Sequence, residues 1–545
     1  MTTQTQRDAL TRRVDALMPK LSEWNQTIWH YAETAWREYR SARFYVELLR
    51  EHGFEVEEGS GGMPTAFCAT WRNGEGPTLG GYAEYDAVPG NCQAADVVKR
   101  PRDNLSPWAG GHTDPHSALG MGSLGGFLAM QALMKEQGIS GTLKFFGEPA
   151  EKVRGSKPIH AAHGYYDDLD AAISFHPFYM LPLCNTTRWD THCGAAYGVI
   201  YTFLCDSPET WMTRGSHSPI AASHASARAP GANDAVTQMY LNAKALREHV
   251  LASGLNWSMN EAILNAGQAT ADNLAAQMSQ IQYFIRVSTV EQAEHVVRGL
   301  DHIAESVAKL THCRVERHWV AKSRPGLPNH SLAELTYANL ERVGPPRLGE
   351  EAVELARQIQ HNLGMAPMEK PFLADIETLR APRDAERELR QILPPNQTHF
   401  TSDDYTEYSW HAPTVRLYVG RPALAPRDDG GAYPDWVMNA LGGMAPCIDP
   451  MIETAAKTVG LTLLDLLQAP GALDEARAEF ERRTGGGIGG DEWMAPLCDY
   501  QPPIHFRWPE YVTTARGEND WVIPASNECP EAPGTRDASL QQENR

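Results

Sequence analysis

Five consecutive residues, His112-Thr113-Asp114-Pro115-His116, bring two imidazoles and a carboxylate into one short loop, which we call the metal loop. Glycines flank it at Gly110, Gly111 and Gly120, so the backbone around it can bend freely. Imidazole combined with carboxylate favours zinc, manganese, cobalt or iron over calcium, which prefers more oxygen ligands. The pattern therefore predicts a divalent metal site, with a polar surface loop as the simpler alternative for such a motif taken alone.

Two later segments offer residues of the same kind where apolar runs end. Gly147-Glu148-Pro149-Ala150-Glu151 is a turn with two carboxylates, and Phe175-His176-Pro177 places an imidazole at the end of a strand-like run. Residues 81–90, GYAEYDAVPG, are typical of a strand that ends in acidic residues and a proline turn. Ligands of open α/β sheets bind beyond the carboxyl ends of strands, so we expect these groups to surround one crevice. A hydrolytic metal site is the leading hypothesis.

The composition limits the class of protein. A chain of 545 residues exceeds one hydrophobic core and predicts two or more domains. The apolar fraction of 42% is that of a globular protein. No apolar run approaches the roughly 20 residues needed to cross a bilayer, and residues 1–20 are unlike a signal peptide. Nine scattered cysteines without a C-x-x-C motif indicate reduced thiols, and the net charge of −20 argues against a nucleic-acid partner. We expect a cytoplasmic protein.

Helical and strand-like segments alternate, which predicts an α/β catalytic domain with a central sheet, built from residues 1–194 and 321–468. A helical stretch is predicted for residues 21–52. Residues 195–320 differ: the predicted elements are strands at 197–205, 256–264, 281–287 and 311–320, with helices at 232–251 and 290–310. This βαββαβ order is that of a ferredoxin-like sandwich, which we call the lid domain. Residues 469–545 form a C-terminal extension with a polar, partly disordered end.

Two further motifs are interpreted as structural. Residues 120–125 match G-x-G-x-x-G, but they follow the metal loop rather than a strand, so the glycines are expected to let a helix pack closely instead of binding a dinucleotide. His160 and His163 lie near the second segment in sequence, and we expect both at the surface.

The segments quoted above resemble a known family. The chain is similar to the metal-dependent aminoacylase and carboxypeptidase family of di-metal amidohydrolases, in the branch with aminobenzoyl-glutamate hydrolase and the auxin-conjugate hydrolases, from about residue 20 to 468. That branch typically has AEYDALPG, HACGH, PAEE and WHP, followed by a lid with AHA. Here AEYDAVPG occupies residues 83–90, HTDPH stands in the place of HACGH, and Ser223-His224-Ala225 resembles the lid motif.

The resemblance implies roles for individual residues. Asp114 takes the place of the metal-bridging residue, His116 and His176 match further metal ligands, and Glu151 matches the general base. In the lid domain, His224 resembles the histidine that stabilises the substrate oxyanion. Asn273 and Arg286 are spaced like the lid residues that bind a substrate carboxylate. The family's lid also pairs with a second copy, so we expect a homodimer or a higher homo-oligomer.

The sequence departs from the family's pattern at two positions, and both are ligands of the second of the family's two metals. Lys152 replaces the second Glu of PAEE, and Pro434 stands where the late histidine falls. An ammonium at Lys152 would repel a cation, could occupy the vacant charge position and could bind substrate. We therefore predict one divalent transition metal per chain, zinc or manganese. Three residues remain alternative ligands or partners that orient the imidazoles: Asp86, His112 and Glu148.

The leading function is metal-dependent hydrolysis of a carbon–nitrogen bond in a small molecule, an N-acyl or aryl-amide conjugate of an amino acid. One alternative is hydrolytic deamination of an aromatic amine at a single metal. Another is a catalytically silent binding protein of the same fold, because a homologue that loses its activity also loses metal ligands. Retention of Glu151 favours an enzyme, since a binding protein needs no general base.

Overall fold

A computed structural model describes residues 2–206, 229–252, 255–267, 274–506, 511–513 and 519–521. The first part of the catalytic domain contains α1 (Gln4–Tyr31), α2 (Tyr39–Glu51), β1 (Glu55–Glu58), β2 (Phe67–Asn73), β3 (Thr78–Ala83), α3 (His116–Gln137), β4 (Gly141–Gly147), α4 (Ser156–Ala162), β5 (Ala171–Pro177) and β6 (Thr186–Thr187). The lid domain contains β7 (Ala195–Leu204), α5 (Ala232–Arg247), β8 (Ser258–Asn265), β9 (Met278–Val287), α6 (Val290–Leu310) and β10 (Arg314–Ser323).

The rest of the described chain returns to the catalytic domain and continues into the extension. It contains α7 (His330–Val343), α8 (Glu350–Asn362), α9 (Pro382–Ile392), β11 (Thr414–Val419), α10 (Asp435–Gly443), α11 (Ala445–Gln468), α12 (Pro470–Thr484), β12 (Tyr511–Thr513) and β13 (Asn519–Trp521).

The central sheet has the order β1-β2-β4-β3-β5-β11-β6. Neighbours among β4, β3, β5 and β11 are parallel, whereas β2 pairs with β4, β1 with β2 and β6 with β11 in antiparallel fashion. The four parallel strands therefore end at the same edge, where an open α/β sheet forms its ligand crevice.

Helix α3 begins within the metal loop and is buried along almost its whole length. Its glycines allow this packing: a Cβ on Gly120 would lie 2.0 Å from the hydroxyl oxygen of Tyr45, and one on Gly126 would lie 2.8 Å from the backbone nitrogen of Gly460 in α11. Close helix packing is thus the role of the glycine motif. By length and apolar composition α3 could span a membrane, yet 94% of its most apolar window is buried within the protein.

The lid domain is a four-stranded antiparallel sheet of order β10-β7-β9-β8, on which α5 and α6 pack. Its apolar core joins the two helices to β7 and β9. The predicted fold class, an α/β catalytic domain with an inserted βαββαβ unit, is confirmed.

The helical stretch predicted for residues 21–52 is broken into α1 and α2. Ala32 ends α1 in the left-handed region at φ 41°, and the Glu33 carboxylate accepts hydrogen bonds from the backbone N–H groups of Arg40 and Ser41 at 2.9 and 2.8 Å. These N–H groups belong to the first turn of α2, which has no intrahelical acceptor for them, so Glu33 stabilises a new helix start.

The C-terminal extension packs on both domains. Helix α12 contacts α7 and α11. Beyond it, the Trp493 indole donates to the carbonyl of Trp410 at 2.5 Å, and the backbone N–H of Lys322 in the lid domain donates to the Tyr500 hydroxyl at 3.0 Å. The disorder predicted for the end of the extension lies outside the described residues.

Candidate active site

The polar residues predicted to do chemistry lie at the carboxyl edge of the parallel strands. Asp86 follows β3, Glu151 lies in a 3₁₀ turn after β4, His176 belongs to the end of β5, and His116 is the first residue of α3. A distant residue stabilises the turn that carries Glu151: the buried Glu38 carboxylate accepts a hydrogen bond from the backbone N–H of Ala150 at 2.7 Å.

The two histidines turn their Nε2 atoms toward the same carboxylate. Nδ1 of His116 lies 2.7 Å from the Asp86 carboxylate, and Nδ1 of His176 donates to the carbonyl of Pro177 at 2.6 Å. Their Nε2 atoms lie 3.7 and 3.6 Å from Oδ2 of Asp114, respectively. Burial lowers the pKa of His176 to about 3, so this imidazole is neutral and its Nε2 lone pair is available to a metal.

Lys152 places its ammonium among the predicted metal ligands. Nζ lies 2.9 Å from Oδ2 of Asp114, 3.1 Å from Nε2 of His116 and 3.5 Å from Oε2 of Glu151. Its backbone N–H also donates to Asp86 at 2.8 Å. Burial opposes the charged form, but the carboxylates of Asp114 and Glu151 raise the pKa of Lys152 above its usual range. The side chain therefore fills one cation position of the cluster.

Glu151 is buried and ionised. Burial alone would raise its pKa, but the charges of Arg154 and Lys152 hold the pKa well below its usual range. Arg154 forms an ion pair with Oε1, while Oε2 lies 3.4 Å from Nε2 of His116. One oxygen is thus fixed by a guanidinium, and the other faces the cluster.

Sequence reasoning missed Glu84, which is fully buried one residue beyond β3. Lys157 donates to its Oε1 at 2.8 Å and to Oδ1 of Asp404 at 2.7 Å. Oε2 of Glu84 has no hydrogen-bond partner among the described residues and lies 3.4 Å from Nε2 of His116. The signal was available: Glu84 and Asp86 are two residues apart, which places both on one side of an extended chain.

Two of the alternative ligands do not join the cluster. Tyr166, Tyr408 and His160 surround the Glu148 carboxylate at 2.6, 2.7 and 3.0 Å, so its oxygens are already engaged. His112 is buried with Nε2 3.3 Å from the carbonyl of Ile28, and burial lowers its pKa to about 3.

The surface position expected for His160 is wrong, whereas His163 is exposed as expected. His160 is buried because α4 turns it inward, toward the Glu148 carboxylate and the Ser60 hydroxyl.

Of the three lid residues predicted to contact the substrate, the structure describes one. Arg286 on β9 is half-buried, and its Nε donates to the Ser402 hydroxyl at 2.9 Å. Burial and the nearby charge of Arg154 lower the pKa of Arg286 to about 10. His224 and Asn273 lie outside the described residues, and their roles stay predictions.

Glu148→Gln is expected to destabilise the fold without changing the chemistry. Burial opposes ionisation, but the imidazole of His160, the charge of Lys157 and the Tyr166 hydroxyl lower the pKa of Glu148 to about 2, from an ordinary value of 4.5. A depressed carboxyl pKa stabilises the fold above about pH 4.5, and that contribution is lost as the pH falls toward 2. We expect about 3 kcal/mol less free energy of unfolding at pH 7. Urea denaturation at pH 7 and pH 3 measures it, and equal stability of mutant and wild type at pH 7 would contradict it.

The donor set fits a divalent transition metal. Asp114, His116 and His176 offer one carboxylate oxygen and two imidazole nitrogens. Two ligand atoms that bind one zinc ion tetrahedrally, each at about 2.1 Å, are separated by about 3.4 Å. Oδ2 of Asp114 lies 3.6 and 3.7 Å from Nε2 of His176 and of His116, which is close to that separation.

Comparisons with known proteins agree with this site. The chain is 27% identical over 467 residues to one of the subunits of p-aminobenzoyl-glutamate hydrolase from Escherichia coli (strain K12), with 84% of this chain and 91% of the relative covered. It is 22% identical over 413 residues to indole-3-acetyl-aspartic acid hydrolase of Enterobacter agglomerans, with 66% and 89% covered. The crystal structure of an aminobenzoyl-glutamate utilization protein from Klebsiella pneumoniae superposes with a TM-score of 0.52 at 14% identity, with 84% and 98% covered, and shows the same fold. No family model matches the chain.

These similarities confirm the resemblance predicted from the sequence. The chain is similar, over most of its length, to hydrolases of aminobenzoyl-glutamate and of indole-3-acetyl-aspartic acid. It is accordingly an enzyme of the metal-dependent amidohydrolase type.

Proposed function

We propose that the protein hydrolyses the amide bond of an N-acyl or aryl-amide conjugate of an amino acid. The observation that carries the proposal is the buried, ionised Glu151, whose Oε2 faces a cluster of two imidazoles and a carboxylate. The relatives support the substrate class, since the two named above are hydrolases of aminobenzoyl-glutamate and indole-3-acetyl-aspartic acid.

Asp114, His116 and His176 would hold one metal ion per chain, zinc or manganese. Such an ion supplies Lewis-acid chemistry, which activates water and stabilises negative charge on the substrate oxygen. Asp86 orients His116 through its hydrogen bond to Nδ1, so that Nε2 points into the site.

Glu151 performs the proton transfers. Its Oε2 takes a proton from the attacking water, and the same oxygen later delivers that proton to the leaving nitrogen. The amide and the water thereby become a carboxylic acid and an amine, and the second proton of the water passes to the amine, which leaves carboxylate and ammonium. Arg154 keeps the carboxylate in place through Oε1. The Lys152 ammonium lies 3.5 Å from Oε2 of Glu151 and stabilises negative charge that develops on the substrate next to this base.

The lid domain supplies the contacts to the amino-acid part of the substrate. Arg286 binds the substrate carboxylate by charge-assisted hydrogen bonds, and the effect of the Arg154 charge on its pKa supports a position close to the site. Asn273 assists Arg286, and His224 donates to the oxyanion. The protein works in the cytoplasm, which is consistent with free thiols at every cysteine in the described part of the chain.

A substrate panel tests the function. Enzyme loaded with zinc or with manganese is assayed on N-acyl amino acids, aryl-amide conjugates of glutamate and aspartate, and aromatic amines. We expect cleavage of the amide conjugates that stops with a chelator and returns with metal. Release of ammonia from aromatic amines alone would establish the deaminase instead, and binding without turnover would establish a silent homologue.

We further propose that His224 acts in the partner's site of a homodimer. The lid sheet ends on one side in β8, most of whose residues are partly or fully exposed, and a two-fold axis could pair this strand edge in both copies at once. Co-expressed His224→Ala and Glu151→Gln chains, each inactive alone, are expected to recover about half the activity per mixed dimer, because one site regains both residues. Inactivity of purified mixed dimers would show that His224 serves its own chain.

A further inference from the structure

Glu84 combines complete burial with an unsatisfied carboxylate oxygen. Its Oε1 accepts a hydrogen bond from Lys157 at 2.8 Å, and Lys157 is itself fixed by Asp404 at 2.7 Å. Its Oε2 has no hydrogen-bond partner among the described residues, although the side chain has 0% exposure. A buried carboxylate oxygen without a donor is costly, so it indicates a group that binds there.

The unsatisfied oxygen faces the histidines. Oε2 of Glu84 lies 3.4 Å from Nε2 of His116, and one ligand atom each from Glu84, His116 and His176 lies within 4.8 Å of the others. The 3.4 Å separation equals the distance of about 3.4 Å between two atoms that bind one ion tetrahedrally. Lys157 prevents the carboxylate from rotating away, because it holds the opposite oxygen.

We propose that Glu84 is a metal ligand, which together with His116, His176 and Asp114 completes the site of a single ion. Two imidazoles and two carboxylates suit zinc or manganese, and the two carboxylates balance the charge of a divalent cation.

The position of Lys152 explains why one ion suffices. Its ammonium lies 2.9 Å from Oδ2 of Asp114, 3.1 Å from Nε2 of His116 and 3.5 Å from Oε2 of Glu151, and it takes the place of a second cation. Nε2 of His116 has a single lone pair, so a metal bound to this nitrogen would displace the Lys152 ammonium from it. Lys152 would then contact only the carboxylates of Asp114 and Glu151.

The test measures binding of Mn²⁺ alone by calorimetry and electron paramagnetic resonance. Glu84→Gln should weaken Mn²⁺ binding by about 100-fold or more, because a ligand contributes at least as much as the outer partners of ligands. The matched control is Glu148→Gln, which removes another buried carboxylate whose oxygens are already engaged by Tyr166, Tyr408 and His160, and a change below about 10-fold is expected. Unchanged binding by Glu84→Gln overturns the proposal, and so does equal weakening in both variants.

A crystal of the wild-type protein soaked in Mn²⁺ keeps the inference testable if Glu84→Gln does not fold. The anomalous peak should lie within about 2.3 Å of a Glu84 oxygen. A peak that Glu84 does not contact contradicts the proposal. The inference rests on the metal of the proposed function, but its measurements are of metal binding, so an unexpected substrate would leave it standing.

Discussion

Glu151→Gln is expected to lower kcat by about 10³-fold or more, because the water's proton and the proton on the leaving nitrogen both pass through this carboxylate. The substitution preserves the shape and the hydrogen bond from Arg154, and it replaces none of the predicted ligands. Mn²⁺ affinity should therefore remain close to that of the wild type, whereas the melting temperature should fall, because Arg154 and Lys152 lose the charge of a buried partner.

Steady-state kinetics of metal-saturated enzyme measure the effect. Glu148→Gln is the matched control, because it removes a nearby buried carboxylate that points away from the cluster, and its kcat should stay within a few-fold of wild type. Near-normal turnover by metal-loaded Glu151→Gln would place the general base elsewhere.

Lys152→Glu is expected to change the number of metals as well as the rate. Reversal of the charge places a third carboxylate beside Asp114 and Glu151, and their mutual repulsion can be relieved by a second divalent cation. In excess Mn²⁺ the variant should bind two ions per chain. Loss of the ammonium should also lower kcat/KM by about 10²-fold or more, the usual effect of removing one group that stabilises transition-state charge.

Lys152→Gln separates the two effects. It removes the charge but adds no anion, so it should lose activity to a similar extent and still bind one ion. Unchanged kcat/KM in both variants would show that Lys152 fills space in the cluster without contacting the reacting groups.

The position of the active site could be predicted from local sequence patterns. Apolar runs that end in Asp86, Glu151 and His176 predicted strands with polar carboxyl ends, and parallel pairing brings those ends together. The order of the lid elements also followed from periodicity, because the stripe of apolar residues on α6 and the alternation on β9 each identify a buried face.

The basic residues that pair with the carboxylates of the site could not be predicted from such patterns. Lys157 lies on a short polar helix, where a lysine is ordinarily exposed, and its burial depends on Asp404, 247 residues later in the chain. Arg154 itself has a positive φ of 59°, a conformation that gives no periodic pattern. The sequence predicted His160 at the surface because seven residues of α4 give no periodic pattern, whereas six of the seven are buried.

One divalent ion and the Lys152 ammonium are proposed to share a site that would otherwise hold two metals. Elemental analysis of purified wild-type protein, metal-saturated and then freed of unbound ions, tests this central claim most directly. We predict one zinc or manganese per chain, with activity lost on chelation and restored by one equivalent of metal. Two tightly bound ions per chain in the wild type would contradict it.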